Sequence, residues 1–496
     1  MGALELLAGG FSVAIQPLNL MLAFGGVFVG TVVGMLPGVG PINAISILIP
    51  LIFAVDIPPQ SALILLAGIY YGSQYGNSIS TILLNVPGTA SAVVTALDGY
   101  PMAKQGRAAE ALASSAIASF VGGTLSVFGL VLFAPPLAKW AIKFGPAEYF
   151  ALMVFAFVAL SGMAGKHGGK ALVAVGIGLF LASVGVDPNS AVPRFTFGQL
   201  RLLDGMDFVV VVIGLFAVSE VLIGLETTGF GHYIHSEVGK VSQAVKKLKN
   251  TVGSMLRGSA IGFFTGVLPG AGGTVASFLA YSAEQKVLGE KGNLGEGDVR
   301  GVAAPEASNN AAATGAMIPL LTLGVPGSGT TAVMLGALIG LNVTPGPLMM
   351  EQRPEIFWGL AASMYIGNCF LLILNLPLVG LFVKILSVPR WLLMSAIAGF
   401  SFVAVYSVNN STFDLVLMTG IGFLGYGLRK LEIPLAPIVL ALVLGPIMEK
   451  NLRRALLLSA GDWHVLFSGW LAIALWLVTV LLVIVSLIWR LRAAVK

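Results

Sequence analysis

The sequence predicts an all-α polytopic membrane protein: two inverted-topology repeats with broken, re-entrant helices, and an extra C-terminal transmembrane helix. Three observations predict it. Of 496 residues, 57% are hydrophobic and only 10% are charged, against about 25% charged in a soluble domain. Two unusual motifs are each written twice: GMLPGVGP from Gly34 returns as GVLPGAGG from Gly266, and LNVPGTAS from Leu84 returns as LGVPGSGT from Leu323. The densest basic cluster lies between the copies, at Lys240, Lys246, Lys247, Lys249 and Arg257.

Taken in order, residues 1–17 form an N-terminal leader, 18–226 repeat one, 227–252 a basic cytoplasmic linker and 253–454 repeat two. Residues 463–496 form the last transmembrane helix and its basic tail. The leader lacks a basic start and a small-residue cleavage site, so it reads as a retained polar or interfacial segment rather than a signal peptide. Apolar runs able to span about 30 Å of hydrocarbon occur at 18–36, 111–133, 149–161, 171–184, 208–223, 359–386, 391–408, 413–428 and 470–491. Pro37 and Pro269 are 232 positions apart (269 − 37), and Pro87 and Pro326 are 239 apart (326 − 87). Repeat two therefore carries seven extra residues between its motifs, which fit the hydrophilic stretch 286–300. The correspondence continues at Gly176 with Gly420 and at Pro146 with Pro389, so whole halves repeat.

Basic residues in loops report topology. A net charge of +5 therefore indicates no nucleic-acid partner here; the partner of this surface is the lipid bilayer. The linker and the tail with Arg490, Arg492 and Lys496 read as cytoplasmic, and the leader, with Glu5 and no basic residue, as lying on the opposite side. Repeat one then starts outside and repeat two inside, which inverts them. Lys450, Arg453 and Arg454 run against this assignment, because they would lie outside. The single Cys369 permits no internal disulfide and reads as core filler.

The Gly-Pro-Gly motifs cannot continue a helix, since two prolines and flexible glycines fall within six residues. A broken helix at membrane depth leaves backbone groups unpaired unless they line protein or a wet cavity. Four such breaks predict a site, with half-helix N-termini that attract anions. The candidate substrate-binding residues are Gly38, Gly40, Asn43, Asn85, Gly88 and Thr89 in one half, and Gly270, Gly272, Thr274, Gly327, Ser328, Gly329, Thr330 and Thr331 in the other. Their side chains are neutral, so an anionic substrate would have its charge offset by helix ends and co-bound cations. Asn77, Ser78, Glu306, Asn309 and Asn310 are candidates for a coupling-ion site or gate. The pattern suits a cation-coupled carboxylate carrier driven by Na+ or H+, with no resident cofactor and no metal beyond a sodium ion.

These motifs, with LLNVPGTASAVVTALDGYPMAKQG and PEASNNAAATGAMIPLLTLGVPGSGTTAVMLGAL, resemble the large transmembrane subunit, TctA type, of the tripartite tricarboxylate transporters. The resemblance covers nearly the whole chain. It implies a multi-pass importer of the bacterial cell inner membrane working with a small four-helix subunit (TctB type) and a periplasmic solute-binding protein (TctC type). It also implies organic carboxylates such as citrate as substrates and an ion gradient as the energy source. No GxxxxGK[ST] phosphate loop occurs in the sequence.

Glu306 reads either as a cation or gate residue or as an N-terminal helix charge. Asp98, Lys104, Arg107 and Glu110 flank an expected turn at Gly99-Tyr100-Pro101 and read as interfacial anchors, an ion pair or gating residues. Glu220 and Glu449 suit membrane interfaces. The run from Tyr70 to Tyr75 fits a substrate route or simple packing. His167, His232, His235 and His464 have no metal-ligand spacing. Neither GxSxG nor HExxH occurs, so the chain is not expected to be an enzyme. The rival to a carrier is a passive two-repeat channel with re-entrant segments.

Overall fold

The computed structural model describes residues 3–36, 40–55, 57–163, 168–187, 189–226, 241–270, 272–289, 292–385 and 390–494. Gly38, His167, His232, His235, Lys240, Pro389, Lys496 and most of the linker lie outside them.

The first half runs through α1 (Ala3–Ala14), α2 (Pro17–Gly34), α3 (Gly40–Val55), α4 (Pro59–Leu84), α5 (Val93–Lys104), α6 (Ala108–Ala141), α7 (Pro146–Met163), α8 (Gly168–Ala182) and α9 (Phe208–Glu226). The second runs through α10 (Val252–Val267), α11 (Gly272–Leu288), α12 (Arg300–Gly315), α13 (Met317–Leu323), α14 (Gly329–Gly340), α15 (Pro354–Asn375), α16 (Val379–Ile385), α17 (Arg390–Asn409), α18 (Thr412–Lys430) and α19 (Ala436–Leu458). The chain closes with α20 (Trp470–Ala494). Strands are confined, among the described residues, to a two-residue antiparallel pair, β1 (Gly185–Val186) and β2 (Pro193–Arg194). Among the described residues, four helices (α2, α6, α9 and α15) are long and apolar enough to cross a membrane. With the composition, they make this an integral membrane protein with an all-α architecture.

Local chemistry explains several ends. Proline at the first turn starts α2, α4 and α15, where its missing N–H has no partner to lose. The Asp207 carboxylate caps α9 by accepting from the N–H groups of Val209 at 2.7 Å and Val210 at 3.3 Å. Residues Gly214–Val218 in the middle of α9 are π-helical.

Glycine sets how closely the helices pack. Gly26, Gly30 and Gly34 of α2 press on the backbone of Leu65, Ile69 and Ser73 of α4, so tightly that a Cβ would collide at each. Gly258, Gly262 and Gly266 of α10 press in the same way on Ala304, Ser308 and Ala312 of α12. The reverse contacts also agree: Gly76 meets Thr31, and Gly315 meets Phe263. Every pair is offset by the spacings seen in the repeated motifs. Small residues let backbones approach where lipid supplies no hydrophobic drive between helices.

The breaks correspond as well. Asn85 ends α4 at φ 56° and Gly324 ends α13 at φ 68°, both left-handed. Gly40 and Gly272 open α3 and α11 at φ 60° and 56°. At these four positions the backbone itself calls for glycine or asparagine.

Three expectations require correction. Gly99, Tyr100 and Pro101 lie inside α5 rather than in a turn, because Asp98 and Gly99 are packed against Gly301 and Ile82. Cys369 is exposed rather than core filler, on a helix whose other face is buried. The apolar run 359–386 is interrupted between α15 and α16. Within residues 1–17, α1 packs on α15: Gly10 lies against the Trp358 carbonyl and Phe11 stacks on Tyr365 at 6.3 Å.

Candidate functional site

Elements of both halves meet where the broken segments face one another. The Ser328 hydroxyl begins α14 with a capping box: it accepts from the Thr331 N–H at 3.3 Å, while the Ser328 N–H donates to Thr331 Oγ1 at 2.8 Å. From the other half, the buried Tyr70 of α4 brings its hydroxyl to 3.4 Å from Ser328 Oγ, with Thr330 beside it. Gly329 lies against Ile42 of α3, next to the buried Asn43.

One helical turn along α4, Gln74 Oε1 accepts from Asn309 Nδ2 of α12 at 2.9 Å and from Asn77 Nδ2 at 3.4 Å. Asn77 also donates to Thr89 Oγ1 at 2.8 Å, and Thr89 is 2.9 Å from Ser91 Oγ. The Asn309 side chain lies over Gly273 at the start of α11 and near Ser91. Asn309 Oδ1 and Asn77 Oδ1 are buried acceptors with no hydrogen-bond donor among the described residues. Such atoms are costly to leave unmet, by about 1–3 kcal/mol each.

The loops pack on their own halves through glycine. Gly88 sits on the Gly34 carbonyl and Asn77; Gly327 sits on the Gly266 carbonyl and Ala316, and its carbonyl accepts from the Gly270 N–H at 2.9 Å. Gly40 faces Gly88 and Thr89 at the edge of ordinary contact, whereas Gly272 has open space beside it.

Glu306 defines a second pocket on α12. It is 1% exposed, in the body of the helix rather than in its first turn. Oε1 accepts from the Thr95 hydroxyl at 2.5 Å, and Oε2 from Ser119 at 3.3 Å. Asn310 Nδ2 donates to the same Ser119 hydroxyl at 2.7 Å, and Ser115 donates to Ser78 Oγ at 2.8 Å. No lysine or arginine pairs with Glu306 among the described residues. A carboxylate buried this way leans on neutral donors alone. Asn309 and Asn310 are consecutive, so they point about 100° apart around α12; one meets Gln74 of α4 and the other the Glu306 pocket.

The structure thus gathers Asn77, Thr89 and Asn309 around Gln74, sets Ser328, Thr330 and Thr331 beside Tyr70 one turn away on α4, and joins Ser78, Glu306 and Asn310 in the neighbouring pocket. It leaves others apart. Asn85 is exposed and serves α4 as its left-handed end, and Thr274 is half-buried in the first turn of α11. The residue that caps α14 is Ser328. Gln74 falls within the run from Tyr70 to Tyr75 that reads as a substrate route or packing, whereas Thr95, Ser115 and Ser119 escaped sequence reasoning. Ser115 and Ser119, one turn apart on an apolar helix, were the available signal; Thr95 offered none.

Several charges elsewhere are paired. Asp98 Oδ1 accepts from the N–H groups of Gly295, Gly297 and Asp298 at 2.8, 3.0 and 2.8 Å, and Oδ2 from Tyr281 at 2.8 Å. Arg107 pairs with Glu110 at 2.8 Å and donates to the Gly297 carbonyl at 2.9 Å. Glu220 pairs with Arg429, and Glu226 with Lys430. In the 183–207 loop, the N–H groups of Ser190 and Asn189, and then Arg453, hold the Asp187 carboxyl well below the usual range.

A family model described as the tripartite tricarboxylate transporter TctA family matches residues 20–440. The chain is 42% identical over 486 residues to a protein of Agrobacterium vitis described as an uncharacterized 52.8 kDa protein in the TAR-I ttuC′ 3′ region, covering 98% of this chain and 96% of that one. It is 44% identical over 232 residues to a protein of the same organism described as an uncharacterized protein in the TAR-II ttuC′ 3′ region, covering 47% of this chain and 96% of that one. No solved structure matches.

Proposed function

Since the chain belongs to the tripartite tricarboxylate transporter TctA family, we propose that it is the membrane subunit that carries organic carboxylates inward, coupled to a gradient of Na+ or H+. The observation that carries this reading is the meeting of Tyr70 from one half with Ser328 from the other at the start of α14. The polar groups there are neutral, and a helix N-terminus offers about half a positive charge, which favours a carboxylate without trapping it. Two or three carboxylates on one substrate need further positive charge, and a coupling cation or proton at the adjoining Glu306 pocket supplies it.

The matched glycine registers and left-handed ends support a division into two repeats, 18–226 and 253–454, joined by a cytoplasmic linker. The basic linker supports their inversion, with the breaks as re-entrant segments. In this reading the bundle of broken segments moves as an elevator past a scaffold that includes α9. Partners of the TctB and TctC type complete the importer in a bacterial inner membrane, with the C-terminus cytoplasmic.

Uptake of labelled citrate into proteoliposomes, with the partner proteins present, tests the proposal. Accumulation driven by an imposed Na+ or proton gradient is the expected result. Flux that only equilibrates citrate, without counterflow, would favour a passive channel.

A further inference from the structure

We propose that Lys450 and Arg454 form an outer carboxylate-binding vestibule, a second anion site from which substrate reaches the break before Ser328. The proposal rests on the carboxylate reading above. The argument begins with charge. At this end of α19 the acids are already committed: Arg453 bonds Asp187 at 2.7 Å and Glu449 at 2.6 Å, while Arg194 bonds Glu449 at 2.9 Å. Two carboxylates and two guanidinium groups cancel. Lys450 and Arg454 stand exposed, and neither has an ion-pair partner among the described residues. They are four residues apart on one helix, so like charges face each other across one turn, an arrangement that is unfavourable until an anion bridges it.

Space and position complete the argument. Lys450 and Arg454 line two adjoining cavities of about 510 and 390 Å³. The smaller has no acidic residue in its wall; Gln352 and Asn451 add neutral hydrogen-bonding groups beside the two cations. Gly324, Pro345 and Gly346 line the same cavity. Gly324 is the left-handed residue that ends α13, four positions before Ser328. A concave wall of low polarity carrying two uncompensated cations concentrates anions, raising local substrate concentration by roughly tenfold or more. The central site supplies helix ends and hydroxyls; this outer one supplies full charges, suited to capture a di- or tricarboxylate from water.

Citrate binding to the purified chain in nanodiscs of purely zwitterionic lipid tests this, read by titration calorimetry at low and high salt. Wild type should bind two citrates, one of them lost at high salt. The double variant Lys450→Gln/Arg454→Gln should lose that salt-sensitive event and keep the other, and Lys450→Arg/Arg454→Lys should retain both. In uptake assays the Gln variant should need roughly tenfold more citrate for half-saturation at low salt. Salt-sensitive binding that persists in the Gln variant, or a single citrate bound by wild type, overturns the proposal. Phosphatidylglycerol co-purifying with wild type but lost from the variant, with citrate binding unchanged, overturns it in favour of a lipid headgroup. Ser328→Ala separates the two readings: if it leaves both events intact while the Gln variant removes one, the central site falls and the vestibule stands.

Discussion

Asn85 and Gly324 end equivalent helices in the same left-handed conformation, at φ 56° and 68°, each directly before a Val-Pro-Gly break. Asparagine reaches this region at small cost, glycine at none, and alanine at about 1–2 kcal/mol. Asn85→Gly should therefore leave thermal stability in detergent nearly unchanged, while Asn85→Ala should lower it by that amount. Gly324→Ala should be worse, because its Cβ would also lie 2.8 Å from the Pro345 carbonyl oxygen. Loss of citrate binding in the stable Asn85→Gly variant would identify the side chain as a ligand rather than a helix end.

The glycines fall into two classes whose substitutions should have opposite signs. Gly262 presses on the Ser308 backbone, so Gly262→Ala must push α10 and α12 apart and destabilise by about 1–3 kcal/mol. Gly25, in the interior of α2, has no heavy atom within 4 Å of where a Cβ would stand, and Gly25→Ala should be neutral or stabilise by about 0.5–1 kcal/mol. Thermal unfolding of both purified variants checks the pair.

How much of this was readable depended on whether the cause was local. Two prolines and two glycines in six residues forbid a helix wherever they occur, so the breaks were visible in GMLPGVGP itself. Glu306 stood out because it precedes Asn309 and Asn310 by about one helical turn. Its partners did not, since Thr95 is 211 residues away and Tyr70 is 258 from Ser328. Cys369 was misplaced for a different reason: a helix against lipid is apolar on both faces, so hydrophobicity no longer tells inside from outside. Pro101 was taken for a turn signal, but the packing of its neighbours holds it within α5.

The 183–207 loop should loosen in acid. Because the Asp187 carboxyl is held below its ordinary value by the Ser190 and Asn189 N–H groups and by Arg453, its stabilising effect is present above the unfolded value near pH 4 and fades as pH falls through and below it. Hydrogen exchange across the loop should accelerate as pH falls below about 4, once intrinsic exchange rates are corrected for, with Asp187→Asn already loose at neutral pH. Equal protection in both proteins at every pH would show that the loop is held by other contacts.

Glu306 should govern coupling rather than folding. Gln at this position keeps the shape and can still accept from Thr95 or Ser119, so Glu306→Gln should fold and reach the membrane normally. What it removes is the buried negative charge that a cation or proton would neutralise. Gradient-driven accumulation of citrate in proteoliposomes should therefore fall at least tenfold, an estimate for the loss of one buried charge interaction, while exchange of internal for external citrate continues. Accumulation at the wild-type level would move the coupling site away from this pocket.

Ser328 has two duties that substitution can separate. Its hydroxyl caps α14, and removing a serine cap costs about 1 kcal/mol of stability. If the same helix end also receives a carboxylate, Ser328→Ala should weaken citrate binding by a further ~1–3 kcal/mol, roughly five- to 150-fold, because the substrate oxygen loses a donor in a buried setting. Ser328→Asp restores a cap but puts a negative charge where the anion would sit. It should thus recover the melting temperature lost in Ser328→Ala while abolishing binding altogether. Tyr70→Phe, which takes away only the hydroxyl 3.4 Å from Ser328, should leave stability intact and weaken binding by a smaller factor. Melting temperature and citrate affinity measured on the same three proteins give the answer: if affinity tracks stability throughout, Ser328 is only a cap, and the substrate sits elsewhere.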